Sequence, residues 1–289
     1  MNLFDETKFI MKKYGITANK RLGQNFLIND EAVNQIVTAS KINKEDLVIE
    51  IGPGLGTLTK PLLENAGKVI CIELDDRMLE ILEDRFKLYN NFEVINEDVL
   101  KVNLKKIIKE NKTGTIKKAK VVANLPYYIT TPIVMKLLED RLDIESITVM
   151  VQKEVADRLV AKPGEKLSGA ITYAINYYTK PDRILEVDKT SFIPAPEVNS
   201  TVIKLEIIKT PIVKVKNEEL MFKIIKAAFM QKRKTLLNGL TNSSLFGTKE
   251  QIEKTLTSLE INPSIRAEKL TLEDFAKIAD KFDNLGLLS

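Results

Sequence analysis

Leu47-Val48-Ile49-Glu50-Ile51-Gly52-Pro53-Gly54-Leu55-Gly56 decides the fold: a short apolar run stops abruptly at a glycine-rich turn. A run of this length, rich in β-branched residues and bounded by turn formers, predicts a buried parallel strand. The pattern repeats outward from it. Lys68-Val69-Ile70-Cys71-Ile72-Glu73 ends on an acid, Phe92-Glu93-Val94-Ile95 leads to Asp98, Lys120-Val121-Val122-Ala123 leads to Asn124, and Ile147-Thr148-Val149-Met150-Val151 follows. Helical patterns lie between. Leu74 to Leu88 places Met78, Leu79, Leu82 and Phe86 on one helical face, and Thr131-Pro132 reads as a helix start with Thr as N-cap and Pro at the first helical position. This alternation predicts an α/β class with a doubly wound, Rossmann-like sheet.

After Ser191 the pattern changes. Phe192-Ile193-Pro194-Ala195-Pro196 reads as an extended Pro-rich loop, Ser200 to Ile207 alternates like a late strand, and Thr210-Pro211 reads as a boundary. Beyond it, Asn217 can cap a helix running through Phe229, and Thr248-Lys249-Glu250-Gln251 and Thr271-Leu272-Glu273-Asp274 fit the capping-box pattern. No strand pattern follows about Val215. Two domains are expected: a catalytic domain over 1–210, with a basic N-terminal extension over 1–28, and a small all-α domain over 211–289.

Composition narrows the chemistry. The chain of 289 residues contains no histidine, which excludes a His base, a His-paired nucleophile and a His metal ligand. Cys71 is the single cysteine, so no intrachain disulfide forms and a structural zinc site is nearly excluded; no metal is expected, and a reducing cytoplasmic location fits. No apolar run approaches the roughly 18 residues that span a bilayer, so no membrane partner is expected. Net charge is only +4, but basic residues cluster: Lys101 to Lys120 holds eight Lys against Glu110, and Lys214 to Lys234 holds seven Lys/Arg against Glu218 and Glu219. Each run alone is also an ordinary solvated helix face. Two of them in one chain point to a polyanion such as nucleic acid.

The glycine turn departs from a dinucleotide fingerprint, G-x-G-x-x-G, because its third glycine, Gly56, falls one place early. Glu50, two residues before Gly52, suits a cationic amino-acid moiety better than a pyrophosphate, which wants bare N–H groups at a helix N-terminus. Glu73, 21 residues after Gly52, stands where a carboxylate accepts ribose hydroxyls, and Asp98 can contact an adenine amine. Each acid alone is also a plausible strand-end cap. Together with Gly52 and Gly54 they favour S-adenosyl-L-methionine over NAD. Asn124-Leu125-Pro126-Tyr127 ends the fourth strand of the alternation, which flanks the first at the topological switch point where ligands bind. The Asn124 side-chain oxygen and the Leu125 carbonyl can accept the two N–H bonds of an adenine N6, and Tyr127 offers a flat face. Phe192 is open to two readings, a second wall for a flipped base or a core residue.

Gly23-Gln24-Asn25-Phe26-Leu27, Glu50 to Gly56, Asn124 to Tyr127 and Phe192-Ile-Pro-Ala-Pro-Glu-Val-Asn-Ser200, in that order, resemble the small-subunit rRNA adenine N6,N6-dimethyltransferases, the family of the bacterial kasugamycin-sensitivity enzyme. Phe229-Met-Gln-Lys-Arg-Lys-Thr-Leu236 and Ile261-Asn-Pro-Ser-Ile-Arg-Ala-Glu-Lys-Leu270 resemble that family's helical domain. The resemblance implies cofactor contacts at Asn25, Leu27, Gly52, Glu73, Asp98 and Asn124. It implies a monomer acting on two adjacent adenines near the 3′ end of 16S rRNA in an immature small subunit. RNA contact is expected at Lys232, Arg233 and Lys234, through phosphates rather than bases. Two positions depart from the pattern: Lys232 stands where a second Arg is expected, and Tyr128 where many relatives have Asn. The alternatives are a large-subunit rRNA methyltransferase of the macrolide-resistance type, which shares the Asn-x-Pro-Tyr turn, and an assembly factor without catalysis.

Overall fold

A computed structural model describes residues 2–231 and 233–287. The strands run in chain order β1 (Phe26–Leu27), β2 (Asp46–Ile51), β3 (Lys68–Glu73), β4 (Phe92–Asn96), β5 (Lys118–Asn124), β6 (Ser146–Gln152), β7 (Thr179–Val187), β8 (Phe192–Ile193) and β9 (Ser200–Ile207). Among the described residues, seven of them form one sheet in the order β4-β3-β2-β5-β6-β9-β7, and β1 with β8 forms a separate antiparallel ladder. Strands β2 to β6 pair in parallel, as the β-branched runs predict, and β9 returns antiparallel beside β6. Every residue of β2 is buried, which is why Leu47 to Ile51 is apolar on both faces apart from Glu50, rather than an alternation.

The late strand is Ser200–Ile207, as expected, but β7 was not visible in the sequence. Its Lys180, Pro181, Asp182 and Arg183 form a polar edge. An edge strand tolerates proline and charge that a central strand does not, and so loses the apolar signature. The helix expected to have Thr131 as its N-cap starts two residues earlier, as Thr130–Glu139 with Ile129 at the N-cap, and no side chain caps it. A 3-10 turn at Tyr127–Ile129 runs straight into it, and the Thr130 hydroxyl donates back to the Pro126 carbonyl at 3.1 Å. Asn217 caps its helix as expected, accepting a backbone N–H at 3.0 Å, and both capping boxes form; Asn29 caps the helix Asp30–Ser40 in the same way, also at 3.0 Å.

The chain divides into two compact units. One comprises the described residues of Met1–Ala156 and Lys180–Ile207; the other comprises those of Asp157–Thr179 and Ile208–Ser289. A single cut near 210 therefore misplaces 157–179, a helical stretch that packs with the C-terminal helices. Tyr173 is the reason. Fully buried, it donates its hydroxyl toward the carbonyls of Ala267 (3.2 Å) and Leu270 (2.6 Å), and its ring meets Phe275 edge-on at 5.1 Å. Burial pushes its hydroxyl up to about 12, so it remains a donor.

Tyr173→Phe keeps the ring and takes the hydroxyl donor from the Leu270 carbonyl, while the Ala267 carbonyl keeps the Leu270 N–H at 3.1 Å. A destabilisation of about 1–3 kcal/mol is expected, read as a lower urea midpoint with an unchanged m-value.

Candidate active site

The parallel register sets Glu50 of β2 against Val122 of β5, so the turns that follow both strands leave the same edge of the sheet. Gly52 and Pro126 approach closely there, and a Cβ on Gly52 would lie 3.9 Å from the Pro126 Cδ. The cavity between them is lined by Asn25, Leu27, Gly52, Gly54, Glu73, Asp98, Asn124, Leu125 and Tyr127. These are the residues expected to meet the cofactor and the base, with Phe192 the exception.

The glycine turn is built on backbone that side chains disfavour. Gly54 and Gly56 have φ of 56° and 81°, and a Cβ on Gly56 would lie 2.5 Å from the Phe86 ring. Gly56 thus lets the turn seat on the helix Asp76–Phe86, which explains the early third glycine. With the turn folded down, the Gly54 N–H donates to Glu73 Oε2 at 3.1 Å, while Glu73 Oε1 accepts from Leu74 N (2.9 Å) and Asp75 N (2.8 Å). Burial raises the Glu73 carboxyl and the three amides oppose it. Asp98 Oδ1 accepts from Leu100 N at 2.9 Å and holds the turn after β4.

Asn124 ends β5 opposite Met150, and its Nδ2 donates to the Asn25 carbonyl at 3.2 Å. That bond orients the carboxamide and leaves Oδ1 as its acceptor end. Leu125, buried, donates its N–H to the Met150 carbonyl at 3.1 Å, which fixes the next peptide. The Tyr127 hydroxyl lies 2.5 Å from Ser200 Oγ, and burial raises it above its ordinary value. Ser200 closes the Phe192–Ser200 motif, so that motif reaches the site through its last residue.

Phe192 itself is a core residue. It is 3% exposed, pairs with Leu27 in the β1–β8 ladder and packs in the apolar core. The expectation of a second wall is corrected accordingly. Besides Tyr127, the cavity is lined by two aromatics, the buried Phe26 and Tyr128, which is 55% exposed and whose ring lies against Gly23.

The basic runs also separate. In the first, Lys106, Lys112, Lys118 and Lys120 are spent on Glu110, Asp143, Glu145 and Asp46. The Lys120–Asp46 pair is buried and ties β5 to β2. Lys101, Lys105 and Lys109 are exposed. In the second run, Arg233 and Lys234 are exposed, Lys223 pairs with Glu219 at 2.8 Å, and Lys232 lies outside the described residues.

Sequence reasoning missed three supporting residues. Ser200, Gln24 and Asp75 carry no signal of their own, because each acts through a contact with a residue at least 50 positions away. Glu50 is a subtler case. It lines the cavity, yet its Oε2 accepts from the Thr59 hydroxyl at 2.6 Å and the Cys71 thiol at 3.4 Å beneath the glycine turn.

A family model described as ribosomal RNA adenine dimethylase matches residues 15–284. The chain is 48% identical over 281 residues to a ribosomal RNA small subunit methyltransferase A of Geobacillus sp., covering 96% of each chain. It is 44% identical over 288 residues to the protein of that name from Streptococcus thermophilus, covering 98% of each. Among solved structures it is similar to a dimethyladenosine transferase from Plasmodium falciparum, at 29% identity and a TM-score of 0.75, covering 91% of this chain and 99% of that one. A 23S rRNA methyltransferase shares the fold at 22% identity and a TM-score of 0.65, over 90% of this chain and 100% of that one.

Burial, ahead of the opposing bonds from Thr59 and Cys71, raises the Glu50 carboxyl from an ordinary 4.5 to about 7. Between those values the folded protein holds a proton that the unfolded chain has lost, so this group's contribution to stability falls as pH rises from about 4.5 to about 7. Glu50→Gln should remove that fall. Melting temperatures of the two proteins across this range should converge at the acid end and separate at the neutral end, the variant being higher.

Proposed function

The chain belongs to the ribosomal RNA adenine dimethylase family, and on that premise we propose that it transfers methyl groups from S-adenosyl-L-methionine to N6 of two adjacent adenines in the 3′-terminal hairpin of 16S rRNA. The products are N6,N6-dimethyladenosines, made within an immature small subunit during its biogenesis. The observation that carries the reading is the bond from Asn124 Nδ2 to the Asn25 carbonyl, which brings the candidate amine acceptor and a candidate cofactor contact together in one cavity.

The residues present fit the cofactor. Glu73 is a nearly buried carboxylate that still lines the cavity, suited to a pair of ribose hydroxyls, and Asp98 at the next strand end suits an adenine amine. Gly52 and Gly54 let backbone approach, and Asn25 and Leu27 close the opposite side. When bound, the cofactor supplies an electrophilic methyl on a positive sulfur. Asn124 Oδ1 and the Leu125 carbonyl accept the N6–H bonds of the base, drawing its lone pair out of the ring. Tyr127, tethered by Ser200, offers its face to the base. The target adenine leaves its stack to enter. Alignment then carries most of the rate, because the amine turns acidic as it gains a methyl and no strong base is required. A chain without histidine is sufficient for this chemistry.

Arg233 and Lys234, with Lys232, are assigned to rRNA phosphates. Among the described residues, no helix is long and apolar enough to cross a membrane. We take the protein to act as a cytoplasmic monomer. The small-subunit assignment is favoured over the macrolide-resistance type by the relatives at 44–48% identity, all named for the small subunit.

Asn124→Ala should cut methyl transfer to undermethylated 30S particles by on the order of 100-fold, the scale seen when one aligned polar contact is lost, while RNA binding survives. Labelling of 50S rather than 30S particles by the wild type would overturn the target. Arg233→Glu with Lys234→Glu should weaken 30S binding and flatten its salt dependence by a slope of about 2, near 0.9 per phosphate contact. An unchanged slope removes these residues from the RNA interface.

A further inference from the structure

Asn25 and Leu27 reach the cavity on a segment that lies outside the parallel sheet, so their positions depend on what ties that segment down. The β1–β8 ladder fixes Phe26 and Leu27 on one side. On the other, the chain makes a 3-10 turn at Lys20–Leu22, reverses at Gly23 with φ of 62°, and presents Gln24. The Gln24 carboxamide is held at both ends. Its Oε1 accepts from Asn19 N at 2.8 Å, and its Nε2 donates to Asp75 Oδ2 at 2.7 Å. Asp75 is buried, and its own N–H donates to Glu73 Oε1 at 2.8 Å. Arg77 forks onto Asp75, with Nε to Oδ1 at 2.9 Å and Nη2 to Oδ2 at 2.6 Å, and its Nη1 reaches the Thr17 carbonyl at 3.5 Å.

A continuous chain of bonds therefore runs from the N-terminal segment through Gln24 and Asp75 to Glu73, the carboxylate assigned to the ribose. We propose that Gln24 and Asp75 are positioning residues for the cofactor: their bond holds Asn25 and Leu27 at a fixed distance from Glu73, and so sets the width of the cavity. The inference rests on the assignment of S-adenosyl-L-methionine to this site. Asp75 is suited to the task because Arg77 and Gln24 hold it below the usual carboxylate range, so it stays an acceptor at every working pH. Its place at the start of the helix Asp76–Phe86, where it accepts from Arg77 N at 3.2 Å, keeps the carboxylate from swinging away. An uncharged amide facing an ion makes a strong bond without a second charge to desolvate.

The test uses the full chain and S-adenosylhomocysteine, titrated by calorimetry. Gln24→Glu sets two carboxylates face to face, and Gln24→Leu removes the bond without adding charge. Each should weaken binding about tenfold, as expected for loss of a hydrogen bond to a charged group, and should raise KM for S-adenosyl-L-methionine by more than kcat falls. The melting temperature of the ligand-free Gln24→Leu protein should stay near that of wild type while its affinity falls. A merely structural role predicts instead that melting temperature, affinity and kcat fall together. Affinity unchanged in both Gln24 variants, or a kcat that falls as far as KM rises, overturns the proposal. A wild-type protein that does not bind S-adenosylhomocysteine instead overturns the cofactor assignment.

Discussion

The pairing of β2 with β5 is the constraint on which the site depends. Chain order would place β5 beside β4, but the sheet carries it back across to the other side of β2. Parallel strands that neighbour each other in space while their connections diverge leave a crevice at their carboxyl ends. Here one wall of the crevice is the glycine turn and the other is Asn124 to Tyr127. The buried Lys120–Asp46 ion pair spans the same two strands. It lies at their opposite ends, where β2 begins with Asp46, so it secures the pairing without intruding on the chemistry. Breaking such a pair from one side leaves an uncompensated charge in the core, which makes the alternative registers expensive.

Around the crevice the acids are handled by different means. Glu73 is satisfied by three backbone amides, Asp75 by Arg77 and Gln24, and Glu50 by a hydroxyl and a thiol alone. Only Asp75 faces a full positive charge in these bonds. The glycine turn therefore lies over carboxyls supported mainly by dipoles, an environment that favours a cationic ligand over a pyrophosphate. The same balance explains why Glu50, lacking backbone amides, is the carboxyl raised to about 7.

Much of the catalytic unit was legible because its physics is local. The apolar runs at 47–51, 68–73, 92–95, 120–123 and 147–151 sit within strands that the structure forms. The first four lead to Gly52, Glu73, Asp98 and Asn124, which line the cavity. Asn217, Thr248 and Thr271 named their helix starts because a cap is a contact over three residues. Less was legible where partners are distant. The β7 strand is polar at the sheet edge, the 157–179 stretch carries no mark of its packing with the C-terminal helices, and Phe192 stands in a motif whose contact with the site is made by Ser200. The basic run 101–120 looked like one patch because composition does not show which lysines already have acids opposite them.

The sequence by itself determined the α/β alternation, the glycine turn, the acids at the strand ends and the Asn124 turn, because each depends on residues a few positions apart. The tertiary structure alone decided which of these meet and how they are held. Asn124 bonds to Asn25, Tyr127 to Ser200, and Gln24 to Asp75 across separations of 99, 73 and 51 residues. No local preference encodes such contacts. They exist because the sheet's register brings distant segments to one edge, where buried polar groups must find partners.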